Sequence, residues 1–202
     1  MKESKAYAHL AGWIRGLNLN ASAIALKIMR DAHAGQTRKG GGPYEEHPIQ
    51  TACLLASIGI TDDHVIAAAL LHDAKEESRL SDNDLAAMGM PAPVVVSVGL
   101  LTKPGHLDAA GEDAYYAAIA KDFGATFAKL GDRTHNLSTM CGAFTIEKIH
   151  SYLCETDERV IPLARLARRT WVPFSNQAWI LEQHLRSMVQ LGRAFEEAVK
   201  CG

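Results

Sequence analysis

Aromatic residues are scarce in this 202-residue sequence, at 6%, and its four cysteines form no C-x-x-C pair. The first shortage argues against a sheet sandwich, whose pleated faces draw on aromatic and β-branched side chains; the recurring Ala, Leu and Ile suit closely packed helices. The second excludes a dense disulfide framework, so Cys53, Cys141, Cys154 and Cys201 read as reduced thiols filling space in a cytoplasmic protein. An excess of one charge is also missing. The formal net charge of −2 provides no global positive field for gripping a nucleic-acid backbone, so any anionic ligand must be met locally. Apolar runs such as Val65 to Leu71 fall far short of the ~20 residues that span a bilayer. The first twenty residues are broken by Glu3, Lys5, His9 and Arg15, unlike a signal peptide. Repeats, low-complexity tracts and linkers are absent. With 48% hydrophobic residues, the expectation is one domain over residues 1–202 that buries its own core.

What is present is helical spacing interrupted by short Gly and Pro breaks. After an amphipathic first helix, Asn20 is placed to cap a second over residues 21–33, with Ile24, Leu26, Ile28 and Met29 as its buried side. The stretch GQTRKGGGPYEEHPIQ holds four of the 16 glycines within eight residues and reads as a loop. A third helix runs over residues 47–57 with Pro48 in its first turn and Gly59 as its stop. Thr61 or Asp62 caps a fourth whose run VIAAALLHDA is apolar nearly all round, marking a buried central helix. Ser81 and Asp84 form a capping signature. PAPVVVSVGLLTK reads as helix despite its valines, with a strand the competing reading. Residues 108–123, 125–140, 146–169 and 177–200 read as four more helices, divided by Gly124, Gly142 and the W-V-P-F turn, for eight or nine in all.

His72 and Asp73 end the buried fourth helix, and two polar groups there need a reason. A neutral imidazole and a carboxylate both ligate divalent ions, although a His-Asp pair alone is better explained by a helix end facing solvent. His47 at a helix start and Asp132 within AKLGDRTHNL complete a candidate set if the chain brings them together. Two histidines and two carboxylates leave positions on a six-coordinate ion for water and a phosphate oxygen. Manganese suits such mixed donors, as do iron, cobalt and zinc. Glu76 and Glu77, three to five positions beyond the pair, face the same side if the helix continues and are candidates for proton handling; their bland reading is two solvated surface residues. Arg38 and Lys39 in the Gly-rich loop suit a polyanion, and Tyr44 suits stacking on a ring. His33, His64, His106, His135, His150 and His184 lack such partners and read as structural or solvent-facing.

Four blocks in order, AHAGQTRKGGGPYEEHP, AAALLHDAKEE, GLLTK and KLGDRTHNL, resemble the hydrolase domain of the RelA/SpoT family, in particular its small stand-alone alarmone hydrolases. The resemblance implies an all-α HD-domain fold that removes the 3′-pyrophosphate from guanosine tetra- and pentaphosphate, usually with manganese, and no synthetase domain after Asp132. By position it implies His47, His72, Asp73 and Asp132 as metal ligands and Glu76 and Glu77 as the catalytic acidic pair. Arg38, Lys39, Tyr44 and Asn136 fall in its nucleotide-binding motifs. This chain departs from the pattern in having Glu-Glu for the usual Glu-Asp, Lys75 where an apolar residue is common, and HNLST for the more frequent HNMRT, so that Ser138 replaces an arginine.

The expected partner is therefore a small-molecule nucleotide, with neither nucleic acid nor membrane involved, and apolar surface on the last helix is available for self-association. Adenosine alarmones or NADPH are alternative substrates of the same chemistry, and a catalytically silent nucleotide-binding regulator is the alternative of another class.

Overall fold

In the computed structural model, which describes residues 4–201, the regular elements are helices. They are α1 (Lys5–Gly16), α2 (Asn20–Ala32), α3 (Glu46–Ser57), α4 (Asp63–Leu71), α5 (Ala74–Glu77), α6 (Asp82–Ala87), α7 (Ala92–Leu101), α8 (Ala109–Ile119), α9 (Phe123–Thr139), α10 (Ile146–Glu155), α11 (Ile161–Thr170) and α12 (Ser175–Cys201). Taking α10 and α11 as one helix and leaving out the single-turn α5 gives ten among the described residues, against the eight or nine expected. Glu3 and the Cys201 side chain, which the sequence reading used, lie outside the described residues.

The centre is α4. Asp62 caps it by accepting the Val65 N–H, and every residue from Val65 to Leu71 is buried, as an all-round apolar helix must be. It packs chiefly between α2 and α9, while α3 lies against both α4 and α9. The valine-rich segment is helix α7, and its spacing explains why. Val94, Val98 and Leu101 are buried at i, i+4 and i+7 while Val96 faces out, a helical rather than an alternating pattern.

Three local expectations are corrected. Asn20 does not cap α2; the side chain of Asp63, reaching across from α4, accepts the Ala21 and Ser22 N–H groups at 2.8 Å each and the Ser22 hydroxyl at 2.6 Å. Ile24 is exposed rather than part of the buried side, which Leu26, Ile28 and Met29 do supply. Gly124 does not divide helices but lies in the first turn of α9. A Cβ there would come within 2.5 Å of His64 Nε2 and 2.7 Å of Ser97 Oγ, so this glycine permits close approach of α9 to its neighbours.

The helix expected over residues 146–169 is continuous but carries a π-helical turn, Thr156–Val160, between α10 and α11. Pro162 supplies the reason: it has no N–H to donate, and its ring would collide with the carbonyl four residues back in a regular α-helix. A single hydrophobic cluster extends from Leu10 on α1 to Val189 on α12.

Candidate metal centre and active site

His47 stands in the first turn of α3, His72 and Asp73 at the junction where α4 gives way to α5, and Asp132 in the middle of α9. Three separate helices therefore carry these side chains to one point. His47 Nε2 lies 3.1 Å from His72 Nε2, 3.1 Å from Asp132 Oδ1 and 3.6 Å from Asp73 Oδ2. His72 Nε2 lies 3.3 Å from Asp73 Oδ1 and 3.4 Å from Asp132 Oδ1. One ligand atom from each of His47, His72 and Asp73 fits within 4.8 Å, and Asp132 adjoins both imidazoles.

The hydrogen bonds behind the cluster fix what it offers. His72 Nδ1 is 2.7 Å from the Ala69 carbonyl, which only accepts, so Nδ1 carries the proton and a neutral ring turns the Nε2 lone pair inward. His47 Nδ1 is 2.7 Å from His135 Nδ1, a contact that orients His47 in the same way when His47 is the donor. Two imidazole lone pairs and two carboxylates then face one another, a donor set that fits a divalent cation.

The electrostatics agree with that arrangement. Burial pushes Asp73 up, but His72 outweighs it and holds the carboxyl below its usual range; Asp132 is likewise held low against burial, chiefly by Lys129. Burial depresses His47, whereas for His72 the burial penalty is overcome by Asp73 and Asp132, which raise it. The carboxylates thus favour positive charge where the two Nε2 atoms meet.

This cluster forms part of the wall of a cleft of about 990 Å³. Every sequence-predicted site residue lines it: Arg38, Lys39, Tyr44, His47, His72, Asp73, Glu76, Glu77, Asp132 and Asn136. Arg38 Nη2 donates to Asn136 Oδ1 at 2.9 Å, and Asn136 Nδ2 donates to Asp132 Oδ1 at 2.6 Å, linking the Gly-rich loop to the metal-type cluster. Gly41 and Gly42 make that loop's turn with φ of +86° and +82°. Glu76 accepts the Lys103 N–H at 2.5 Å, and burial raises its carboxyl.

Tyr44 lines the cleft, held there by two contacts. Its ring stacks on His33 with centroids 4.6 Å apart, and its hydroxyl donates to Asp73 Oδ2 at 2.8 Å. Burial, then Asp73, raises the phenol above its usual range, so it remains a donor. His135, read as structural, lines the cleft and touches His47, and burial lowers it to about 4. Lys103, Lys129, Arg133 and Lys148 also line the cleft and were not singled out from sequence. A signal existed for some of them: Lys129, Asp132, His135 and Asn136 recur at i, i+3, i+6 and i+7, one face of α9. The departures from the family pattern have plain locations. Lys75 pairs with Asp82 at 2.7 Å and Ser138 donates to the His135 carbonyl, and neither is among the cleft-lining residues.

An all-helical fold with a His-Asp pair at the end of its central helix defines the HD-domain class, and residues 25–97 match the HD domain family. Beyond that match, its similarities are to SpoT-type proteins. It is 35% identical over 147 residues to the bifunctional (p)ppGpp synthase/hydrolase SpoT of Escherichia coli K12, an alignment covering 69% of this chain and 21% of SpoT. It is 36% identical over 141 residues to a probable guanosine-3′,5′-bis(diphosphate) 3′-pyrophosphohydrolase of Synechocystis, covering 66% of this chain and 18% of that protein. The chain thus spans about a fifth of the length of the curated relatives it matches. In structure it is similar to a metazoan ortholog of SpoT described as hydrolyzing ppGpp, with a TM-score of 0.67, 24% identity, and coverage of 95% of this chain and 97% of that one. Among the described residues, no helix is long and apolar enough to cross a membrane.

Proposed function

We propose that this chain is a metal-dependent pyrophosphohydrolase that removes the 3′-pyrophosphate of (p)ppGpp to give GDP or GTP and pyrophosphate, working as one domain over residues 1–202 in the cytoplasm. The observation that carries the reading is the meeting of His47, His72, Asp73 and Asp132 in a cleft also lined by Arg38, Lys39, Lys103, Lys129 and Lys148. A metal-type donor set beside cations matches a polyphosphate with a labile phosphoester. The 35–36% identity to proteins named for this activity supports the same substrate class.

Those four residues would hold a divalent cation, manganese by the match to mixed imidazole and carboxylate donors, which would supply Lewis acidity and lower the pKa of a water. In the hydrolysis the water oxygen bonds to the phosphorus carried on the 3′-oxygen, the bond from that phosphorus to the 3′-oxygen breaks, and the 3′-oxygen takes a proton. Glu76, raised by burial, is suited to take the proton released by water, and Glu77 beside it to orient the water or return a proton to the leaving oxygen. Arg38, anchored through Asn136, and Lys39 on the cleft rim hold phosphate oxygens.

A second reading keeps the chemistry and changes the base. Ser138 stands where the resemblance implies arginine, which weakens the argument for guanine and leaves (p)ppApp or NADPH as candidate substrates.

The test is pyrophosphate release from ppGpp, ppApp and NADPH by metal-stripped protein with manganese restored, beside Asp73→Ala. Manganese-dependent turnover of ppGpp that the substitution abolishes is expected. Preference for another substrate supports the second reading, and manganese binding without turnover of any of them points to a different phosphate ester or to a silent nucleotide-binding regulator.

A further inference from the structure

The stretch from Arg159 to Phe195 holds six arginines and a single carboxylate, Glu182. Four of those arginines, Arg165, Arg168 and Arg169 on α11 and Arg186 on α12, gather on the side of the bundle where these two helices pack together. Glu182 is buried, its side chain 5% exposed, and its two oxygens are fully engaged. Oε1 accepts from Arg165 Nε at 3.0 Å and from Arg186 Nε and Nη2 at 3.1 and 3.0 Å, and Oε2 accepts from Arg168 Nη1 at 3.2 Å.

Charge balance at a buried carboxylate needs one guanidinium. Here three guanidiniums converge on one buried carboxylate, which holds them in place but neutralises one charge only. Arg169 is exposed and makes no ion pair or hydrogen bond among the described residues. Arg165, Arg168, Arg169, Ser175 and Glu182 line a pocket of about 350 Å³, separate from the cleft lined by the metal-type cluster. Ser175 opens the 27-residue α12, whose first turn adds the positive end of a helix dipole.

From this geometry we infer a second anion site between α11 and α12 that takes a small phosphate-bearing ligand, with Arg168 and Arg169 as its contacts and Glu182 as the residue that positions the guanidiniums. Excess positive charge, guanidinium N–H groups left over after Glu182 is satisfied, and a pocket of small-ligand size are the features that recognise phosphate oxygens bidentately. The inference does not depend on what the cleft hydrolyses.

Inorganic pyrophosphate, titrated calorimetrically into metal-stripped full-length protein, is the probe. Because the cleft also carries cations, the titration is run on the wild type, Arg38→Ala, Arg169→Gln and Arg168→Gln. A binding component that persists in Arg38→Ala and is weakened at least about tenfold in Arg169→Gln supports the site, as the loss of one charge-assisted bidentate contact requires. Arg169 has no partner to lose, so that variant keeps its fold, and thermal unfolding without pyrophosphate verifies it. The site is overturned if pyrophosphate binding is absent, vanishes in Arg38→Ala alone, or is unchanged in both Arg168→Gln and Arg169→Gln.

Discussion

Replacing Tyr44 by Phe isolates one hydrogen bond of the metal-type cluster. The hydroxyl donates to Asp73 Oδ2 at 2.8 Å, and the ring is held independently by its stack on His33, so Phe keeps the packing and removes the donor. A hydrogen bond to an ionised carboxylate contributes about 1.5–3 kcal/mol. At about 1.4 kcal/mol per decade this is roughly a 10- to 150-fold change in an equilibrium constant. Loss of a hydrogen bond that orients a ligand typically weakens metal binding about 10- to 100-fold, and the two ranges overlap over most of their span. Titration of metal-stripped Tyr44→Phe with manganese should therefore give a dissociation constant about 10- to 100-fold above wild type. Turnover of ppGpp should recover at saturating manganese with little change in KM. Unchanged manganese affinity together with a raised KM for the nucleotide would refute the reasoning, because it would mean that Tyr44 acts on the substrate ring rather than on Asp73.

Two further outcomes follow from the packing and the charges. Gly124→Ala places a methyl group against His64 and Ser97, which are tied together at 2.7 Å and onward to Asp122 at 2.5 Å, so the neighbours cannot yield freely. Such overpacking costs about 1–3 kcal/mol, read by calorimetry as a fall in Tm of roughly 2–12 °C for a chain of this length, and an unchanged Tm contradicts the close approach. Glu155 is pushed up by burial, but Arg133 at 2.7 Å outweighs this and holds it down to about 2. A folded pKa below the unfolded one means stability that is complete above the ordinary carboxyl value and lost as pH falls through about 2. Urea unfolding of Glu155→Gln should show a deficit against wild type at pH 7 that narrows from about pH 4.5 downward, and a deficit independent of pH counts against the pair.

Most of the fold was legible because its signals are local. The apolar run of α4, the Ser81–Asp84 capping box, Gly59 and Gly142 at positive φ, and the burial spacing of α7 are all properties of neighbours along the chain. What escaped is non-local. The cap of α2 comes from Asp63, forty-odd residues away, where sequence offers Asn20 next door. Gly124 looks like a helix stop until the side chains of His64 and Ser97 are seen against it. The same division runs through the site. Arg38, Lys39, Glu76 and Glu77 fall on the cleft wall as their spacing and motif suggest. The placement of Tyr44 depends on His33 and Asp73, which sequence separates by eleven and twenty-nine residues from it. His135 carries no signal of its own in sequence, since its contact is to another histidine ring on another helix.

The π-helical turn at Thr156–Val160 lies between two parts of the chain. One residue more than a regular turn is wound into it, and each residue of an α-helix advances the side-chain direction by about 100°. Upstream, Tyr152 and Glu155 face the cleft; downstream, Arg165 and Arg168 face Glu182. The extra residue is taken up within about one turn, so Pro162 is accommodated while the residues on either side keep the facing an unbroken helix would give them. The extra residue between Glu155 and Arg165 therefore belongs with Pro162 and not with the facing of the residues at either end, and a related chain without that proline has no need of it.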